Sequence, residues 1–376
     1  MSQLGAAALT LLLALVGCNG EPEVPQEEPP PAEPEPRTDP EPEPDPQPDG
    51  PVEVTTSVIA GGLEVPWDVA FTDDGRTFVT ERDTGVLSEV TDGGQASEVA
   101  SFDIDPAGEG GLLGVAASPD FAEDETLFVY TTTAEDNRIV RVTLGEEPEP
   151  IVTGIPAATV HNGGRLEFGP DDLLYATTGD AGQPALSPDP GSLAGKILRL
   201  TPDGGAPEDN PTPGSPVYAS GIRNSQGLAW DTDGTLYITE FGPDVDDAVL
   251  RVEPGSDQGW NARSATAGQG GRAFPEPVAV EQPPAASWSG AAFLHDGGIP
   301  QWEGDLFVAG LRGQRLWRFT VGTGEAEQLH VEEFGRLRHV TEGPDGSLWV
   351  LTSNRDGRGS PAPDDDRILR LGPAEG

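Results

Sequence analysis

The sequence has 376 residues, of which 65 are Asp or Glu and only 21 are Lys or Arg, so its formal charge at pH 7 is −44. A chain this acidic offers no extended basic face, which excludes nucleic acid and an anionic membrane surface as binding partners. Gly and Pro are abundant, with 50 and 39 residues, and this favours many turns over long helices.

Residues 1–18 resemble a bacterial lipoprotein signal peptide. An apolar run leads into Leu15-Val16-Gly17-Cys18, the pattern of a lipobox, and is too short to be a permanent membrane helix. We expect Cys18, the single cysteine, to be lipidated and to anchor the protein on the periplasmic or extracellular face of a bacterial envelope membrane. The segment before the apolar run contains no Lys or Arg, and a buried N-terminal element is the alternative.

Residues 19–51 consist almost entirely of Pro and acidic residues. Such a segment has no apolar surface to bury and repels itself, so we expect a disordered, extended tether without chemistry of its own.

From residue 52 to residue 376 the chain repeats one pattern six times. Each copy has an alternating strand, a turn of the Asp-Gly type and a second strand rich in β-branched or aromatic residues, as in a hairpin. The six hairpins cover residues 67–81, 112–131, 163–179, 226–240, 289–310 and 338–352.

A third strand follows each hairpin, for example "GKILRLTP" and "DRILRLGP". Repeats of this length with three or four strands predict an all-β fold, a six-bladed β-propeller. Because the last copy ends at its third strand, we expect residues 55–63, "TTSVIAGGL", to supply the outer strand of blade six and close the ring.

In a propeller, residues before the first strand of a blade and residues after the second strand lie at the same end of the channel. This geometry predicts a rim that carries His161, one of only four histidines, together with an unusual number of arginines. Guanidinium groups gathered in this way favour a small anionic ligand, and pairing with acids of neighbouring blades is the structural alternative. The predicted rim contains Arg82, Glu109, His161, Asp180, Arg223, Asn224, Gly242, Pro243, Trp288, Arg312, Arg336, Arg338 and Arg355.

At this point the sequence resembles the soluble glucose and aldose sugar dehydrogenases that use pyrroloquinoline quinone (PQQ), the glucose/sorbosone dehydrogenase family. The resemblance covers residues 55–373. It is carried by "GEGGLLGVAASPDF", "HNGGRL", "LAGKILRLTPDG", "GIRNSQGLAW", "EFGPDVDD" and "GRLRHVTEGPDGSLWVLT", which are weak singly and specific in this order.

The resemblance implies that PQQ and Ca²⁺ are the cofactors and that a small sugar is oxidised to its lactone. It makes His161 the general base, which takes a proton as hydride leaves C1 of the sugar. The electron acceptor is not identified. The implied cofactor contacts are Glu109, Arg223, Asn224, Arg312, Arg336 and Arg338, and the implied Ca²⁺ ligands are the carbonyls of Gly242 and Pro243.

Three positions depart from the pattern of the glucose enzymes. Val160 replaces an aspartate that orients the histidine, Glu109 replaces a glutamine, and Arg312 replaces a lysine. With Val160 in place, an acid from another blade must hold the His161 ring, and Glu109 is the expected one. We interpret these changes as altered sugar specificity rather than lost activity.

Two other functional classes stay open. A non-catalytic propeller could use the arginine rim to bind an anionic glycan or peptide at the cell surface. A calcium-dependent hydrolase of the lactonase type also has six blades, but it needs Glu, Asn and Asp side chains converging on one axial metal, and the arginine-rich rim disfavours it.

Overall fold

The structure is a computed structural model, and it describes residues 53–243, 245–260, 274–295 and 298–373. The predictions about the signal peptide, Cys18 and nearly all of the tether fall outside these residues. Within them, no helix has the length and apolar character needed to cross a bilayer.

The described chain forms six antiparallel four-stranded sheets, as the six repeats predict. In five sheets the strands follow chain order from the channel outward, and in the sixth the N-terminal strand lies outermost. Blade one contains β2 (Pro66–Phe71), β3 (Thr77–Glu81), β4 (Val86–Val90) and β5 (Ala96–Ser101). Blade two contains β6 (Leu112–Ala117), β7 (Thr126–Thr132), β8 (Asn137–Thr143) and β9 (Glu149–Ile155). Blade three contains β10 (Leu166–Phe168), β11 (Leu174–Thr177), β12 (Ile197–Leu200) and β13 (Val217–Ala219).

The second half of the ring repeats this arrangement. Blade four contains β14 (Gly227–Trp230), β15 (Leu236–Glu240), β16 (Asp247–Val252) and β17 (Ala279–Glu281). Blade five contains β18 (Trp288–Phe293), β19 (Leu306–Gly310), β20 (Arg315–Thr320) and β21 (Glu325–Leu329). Blade six contains β22 (Leu337–Glu342), β23 (Leu348–Thr352), β24 (Arg367–Pro373) and β1 (Val54–Gly61). Helical structure in the described chain is limited to α1 (Phe121–Asp124) and the 3₁₀ turns Pro184–Leu186 and Pro300–Trp302.

Blade six confirms the predicted closure by the N-terminal strand. β1 pairs antiparallel with β24, from Val54 opposite Pro373 to Gly61 opposite Arg367, with one irregularity near Ala60. The first and last strands of the propeller therefore share one sheet, and backbone hydrogen bonds close the ring.

The apolar core consists of six clusters, and each cluster fills the space between two consecutive blades. The inner strands of the blades are buried on both faces, and their sequences are accordingly almost continuously apolar. The cluster between blades six and one joins Ala60 and Leu63 of the N-terminal segment to Val79 of β3 and to Trp349 and Leu351 of β23. The first strand therefore contributes apolar packing as well as backbone hydrogen bonds to the closure.

We expect the closing strand to be indispensable for stability. A chain beginning at residue 63 would lose β1 and Ala60 and leave β24 as an open edge, and its melting temperature should fall by roughly 10 °C or more. The matched control begins at residue 53 and keeps β1. Thermal unfolding of the two chains measures the difference, and equal melting temperatures would contradict a role for β1 in closure.

Candidate active site

A cavity of about 430 Å³ opens at one end of the propeller channel, within the size range of small-molecule sites. Most residues of its wall precede first strands or follow second strands, as the rim geometry predicts. Trp67 and Arg338 instead lie in first strands, Asp247 begins a third strand, and Trp288 of the predicted rim is buried in β18 outside the cavity. The walls include six arginines and two acids: Arg82, Arg223, Arg312, Arg336, Arg338, Arg358, Glu109 and Asp247. His161, Asn224, Gly242 and Pro243 also line it.

The His161 ring is held by Asp180. Its Nδ1 lies 2.7 Å from Oδ1 of Asp180, whose side chain is fully buried. The Asp180 oxygens also accept the Gly182 backbone N–H at 2.8 Å and the Trp260 indole N–H at 2.7 Å. Because both oxygens act as acceptors, Nδ1 carries a proton, and in the neutral ring Nε2 keeps its lone pair. Nε2 makes no hydrogen bond to any described residue, so it is available to a ligand.

The expectation that Glu109 holds the His161 ring is wrong. Oε2 of Glu109 accepts the backbone N–H of His161 at 2.8 Å, and the ring turns instead to Asp180 of its own blade. Val160 is 38% exposed, so the side chain before the histidine takes no part in orienting it. Asp180 belongs to the predicted rim, but the positions of Glu109 and Asp180 in the sequence do not show which of them hydrogen-bonds to the ring.

The two segments that carry His161 and Asp180 approach each other very closely. His161 has a left-handed backbone with φ of +59°, an uncommon conformation for a residue other than glycine. A Cβ on Gly179 would lie 1.9 Å from the His161 carbonyl oxygen, so only glycine fits there. The Ala181 N–H donates to that same oxygen at 3.1 Å. These contacts fix the distance between the His161 ring and the Asp180 carboxylate.

Two of the cavity arginines are hydrogen-bonded to acids. Arg336 donates from Nε and Nη2 to Oδ2 of Asp356 at 2.9 and 2.7 Å. Arg82 donates from Nε to Asp83 at 2.6 Å. For these two, the structural alternative of ion pairing holds at least in part, although the acids lie in the same blade rather than in a neighbouring one.

Arg338 is different, because it is buried without an acidic partner. It is 3% exposed, its Nη1 donates to Oε1 of Gln226 at 2.8 Å, and its Nε has no acceptor among the described residues. Burial lowers the pKa of Arg338 to about 9, a net value to which the nearby charges of Arg82 and Arg336 also contribute and which Asp356 and Glu109 oppose. The group stays charged at neutral pH, and an anionic ligand would relieve this unfavourable environment.

Arg223 and Asn224 stand together before β14. Nη1 of Arg223 donates to the Phe241 carbonyl at 3.1 Å, and its guanidinium carbon lies 5.5 Å from the centre of the Trp260 ring. Asn224 is 3% exposed and accepts the Gly163 N–H at 3.0 Å. Both side chains are thus fixed in the cavity wall before any ligand binds.

Gly242 and Pro243 line the cavity in the turn after β15. The buried Asp247 holds this turn, since its Oδ1 accepts the Gly242 N–H at 2.8 Å and its Oδ2 accepts the Ser287 N–H at 2.6 Å. No three His, Cys, Asp or Glu side chains within the described ranges are grouped to hold a metal ion. A cation at this turn would therefore take carbonyl oxygens, as Ca²⁺ readily does.

The arginine composition of the rim differs from the prediction at two places. Arg355 does not line the cavity, and its Nε donates to the backbone carbonyl of Asp365. Arg358 lies in the wall instead, with its Nη2 3.9 Å from Oε1 of Glu109. Arg312 is exposed and pairs with no described residue. The long turn between β23 and β24 has no strand period, so the sequence does not show which of its arginines faces inward.

The other three histidines have partners outside this cavity. His339 lies in β22 and is buried against Asp68 of β2. Burial holds the pKa of His339 well below its usual value, and the charges of Arg165 and Arg338 lower it in the same direction. Their contacts are His295 with Glu342 at 3.2 Å, His330 with Glu333 at 2.7 Å and His339 with Asp68 at 3.2 Å.

Comparison with known proteins decides the family. The model of the family described as Glucose / Sorbosone dehydrogenase matches residues 63–369, which includes nearly the whole propeller. The chain belongs to the glucose/sorbosone dehydrogenase family. It is therefore an oxidoreductase by family, and the resemblance found in the sequence is confirmed.

Individual relatives agree with this assignment. A structure of the PQQ-bound form of an aldose sugar dehydrogenase from Streptomyces coelicolor has 43% identity and a TM-score of 0.77, covering 86% of this chain and 99% of that one. The aldose sugar dehydrogenase of Escherichia coli K12 is 29% identical over 82% of this chain and 92% of its own. Quinoprotein glucose dehydrogenase B of Acinetobacter calcoaceticus is 30% identical over 54% of this chain and 51% of its own.

Proposed function

We propose that this member of the family oxidises an aldose sugar to its lactone with PQQ and Ca²⁺ bound in the arginine-lined cavity. The observation that carries the proposal is that one cavity brings together a histidine with a free Nε2 and two arginines, Arg312 and Arg338, that pair with no acid among the described residues. Family membership and the PQQ-bound relative at 43% identity support it.

The residues present fit both cofactors. PQQ is a planar tricarboxylate, and Arg312 and the Nε of Arg338 lack acceptors among the described residues, as carboxylate ligands require. Arg336 would add a third guanidinium, with Arg223, Asn224 and Glu109 next to the ring system. The carbonyls of Gly242 and Pro243 would hold Ca²⁺. When bound, PQQ would supply a hydride acceptor for C1 of the sugar, and Ca²⁺ would polarise that acceptor.

In this reaction His161 acts as the general base. Its Nε2 takes the proton of the anomeric hydroxyl as the C1 hydrogen leaves with its electron pair, and the C1–O bond becomes the carbonyl of the lactone. Asp180 keeps Nδ1 protonated and stabilises the imidazolium that forms. Glu109 fixes the His161 backbone, which keeps the ring in place during proton transfer.

The arginine lining also separates this proposal from its alternatives. A binding module has no need for a histidine with a buried aspartate behind it, facing the same cavity as the arginines. A lactonase-type hydrolase needs acids and amides on a central metal, whereas six arginines and two acids line this cavity.

Reconstitution tests the proposal directly. Titrating PQQ and Ca²⁺ into the purified cofactor-free protein should produce saturable dye reduction with members of an aldose panel. Arg338→Ala should weaken PQQ binding by about 1.5–3 kcal/mol, the range for a hydrogen bond to a charged group. Arg370→Ala, at an exposed pair with Asp345 in the outer part of blade six, is the control and should bind normally. Absence of quinone binding by the parent would refute the proposal.

His161→Ala should lower turnover by about 10²- to 10⁴-fold because it removes the general base. Binding of PQQ should persist, since the ring is not among the carboxylate ligands. His330→Ala, which removes a surface histidine, should leave turnover unchanged. Steady-state sugar oxidation by the three loaded enzymes measures this, and near-parental turnover in His161→Ala would mean that the histidine is only structural.

Asp180→Asn should be more harmful than Glu109→Gln. An asparagine carries a donor where Asp180 must accept from both the His161 ring and Trp260, so turnover should fall by about 10²-fold or more through the wrong tautomer. A glutamine at 109 can still accept the His161 N–H, so its effect should be small. Turnover across a pH series separates the two variants, and the reverse order would assign the ring to Glu109.

We also infer that the protein is attached to the bacterial envelope by a lipid on Cys18. The lipobox pattern supports this, and labelling of cells with a radioactive fatty acid, with Cys18→Ala as control, would test it.

A further inference from the structure

Lys196 is the only lysine in the sequence, and every other member of its 21 Lys and Arg residues is an arginine. It is fully buried and lies immediately before β12. Its Nζ donates to three backbone carbonyls, those of Leu186 at 2.9 Å, Ser187 at 2.6 Å and Ala194 at 2.7 Å. All three N–H donors of the ammonium are therefore used.

This environment explains why a chain built on arginine keeps one lysine. Three converging carbonyls match a compact point charge with three donors, whereas a guanidinium is a planar fork. Burial, opposed by the charges of Asp189 and Asp257, lowers the pKa of Lys196 to about 8, so the ammonium is still charged at neutral pH. The group occupies the place that a small structural cation would take.

The carbonyls belong to the loop 179–195, which begins next to Asp180. The ends of this loop are joined by the Gly195 N–H, which donates to the Gly179 carbonyl at 2.8 Å, and the Thr178 hydroxyl donates to the Leu193 carbonyl at 2.6 Å. Without the cation, the carbonyl dipoles would repel one another inside the protein, and the loop would have to open.

The same loop supports the segment that carries the cofactor contacts. Ser187 accepts the Gly221 N–H at 3.3 Å, and Gly195 accepts the Ile222 N–H at 3.2 Å. One residue further on, the Arg223 carbonyl accepts the Asp180 N–H at 2.7 Å. A change at Lys196 thus reaches both the acid behind His161 and the segment at Arg223.

We propose that Lys196 is a positioning residue whose ammonium replaces a structural cation and sets the placement of Asp180 and Arg223. This inference rests on the proposed function, because it concerns how the base and the quinone contacts are held. It predicts that any small cation with N–H donors can substitute for the missing side chain.

The test compares Lys196→Ala, which leaves space at the three carbonyls, with Lys196→Met, which fills it. Turnover of loaded Lys196→Ala should fall by about 10²-fold, the effect of misplacing catalytic groups by about 1 Å. Ammonium or methylammonium chloride should restore much of it, and tetramethylammonium chloride at equal ionic strength should not. Lys196→Met should be equally impaired and should not respond.

The matched control is Arg199→Met. Arg199 is a buried cation of β12, the strand that follows Lys196, but it pairs with Asp171 and Asp209, away from the loop 179–195. The Arg199→Met variant should have a lower melting temperature than the parent, should not respond to ammonium and should bind the quinone with unchanged affinity. The proposal is overturned if Lys196→Ala keeps turnover within a few-fold of the parent. It is also overturned if Lys196→Ala only loses stability, as Arg199→Met does, and its turnover does not recover with ammonium.

Two measurements do not depend on activity. Because Lys196 is the only lysine, ¹⁵N-lysine labelling gives a single Nζ resonance, which should show a charged ammonium with slowly exchanging protons at pH 7. The indole N–H resonance of Trp260, which reports on Asp180, should shift in Lys196→Ala and return with methylammonium. A neutral or rapidly exchanging amine, or an unmoved indole signal, would refute the inference even if the parent proved inactive with PQQ.

Discussion

The pairing of β1 with β24 is the constraint on which the remaining geometry depends. Each blade packs against two neighbours through an apolar cluster, so the position of every first strand around the channel depends on a closed ring. The closing strand covers the edge of β24. Its Ala60 and the nearby Leu63 form part of the apolar cluster between blades six and one. Because the cavity is lined by loops from all six blades, closure also determines which side chains face one another across it.

Electrostatics gives the cavity its character. The chain carries a large excess of acids, yet the walls of this one cavity hold six arginines against two acids. Arg338 is buried with an unsatisfied Nε and a pKa lowered to about 9. Such an arrangement is unfavourable in the protein alone, and perturbed groups of this kind are typical of functional sites. An anionic cofactor would supply the missing acceptors, which is why the site is better suited to a bound tricarboxylate than to a neutral ligand alone.

Short loops, rather than strands, hold His161 and Asp180. His161 adopts a left-handed conformation, Gly179 allows its carbonyl to approach closely, and Asp180 joins the ring to Trp260. Behind them, Lys196 fastens the loop 179–195 with three hydrogen bonds. The segment at Arg223 depends on the same contacts, so the His161 ring and the Arg223 side of the cavity are fixed as one unit. A rigid arrangement of this kind lowers the cost of orienting the reacting groups.

The sequence by itself determined the six blades, the closing strand and the end of the channel where the site lies, because strand alternation and Asp-Gly turns are local signals. It also placed His161 and most of the arginines at that end, since their positions relative to strand ends are fixed by the repeat. Only the tertiary structure decided which acid meets the His161 ring, because Glu109 and Asp180 both stand at the rim and the choice depends on side-chain direction. The exchange of Arg355 for Arg358 has the same cause, since an irregular turn has no period to read. The role of Lys196 was likewise hidden, because three carbonyls converge on it only after the loop has folded.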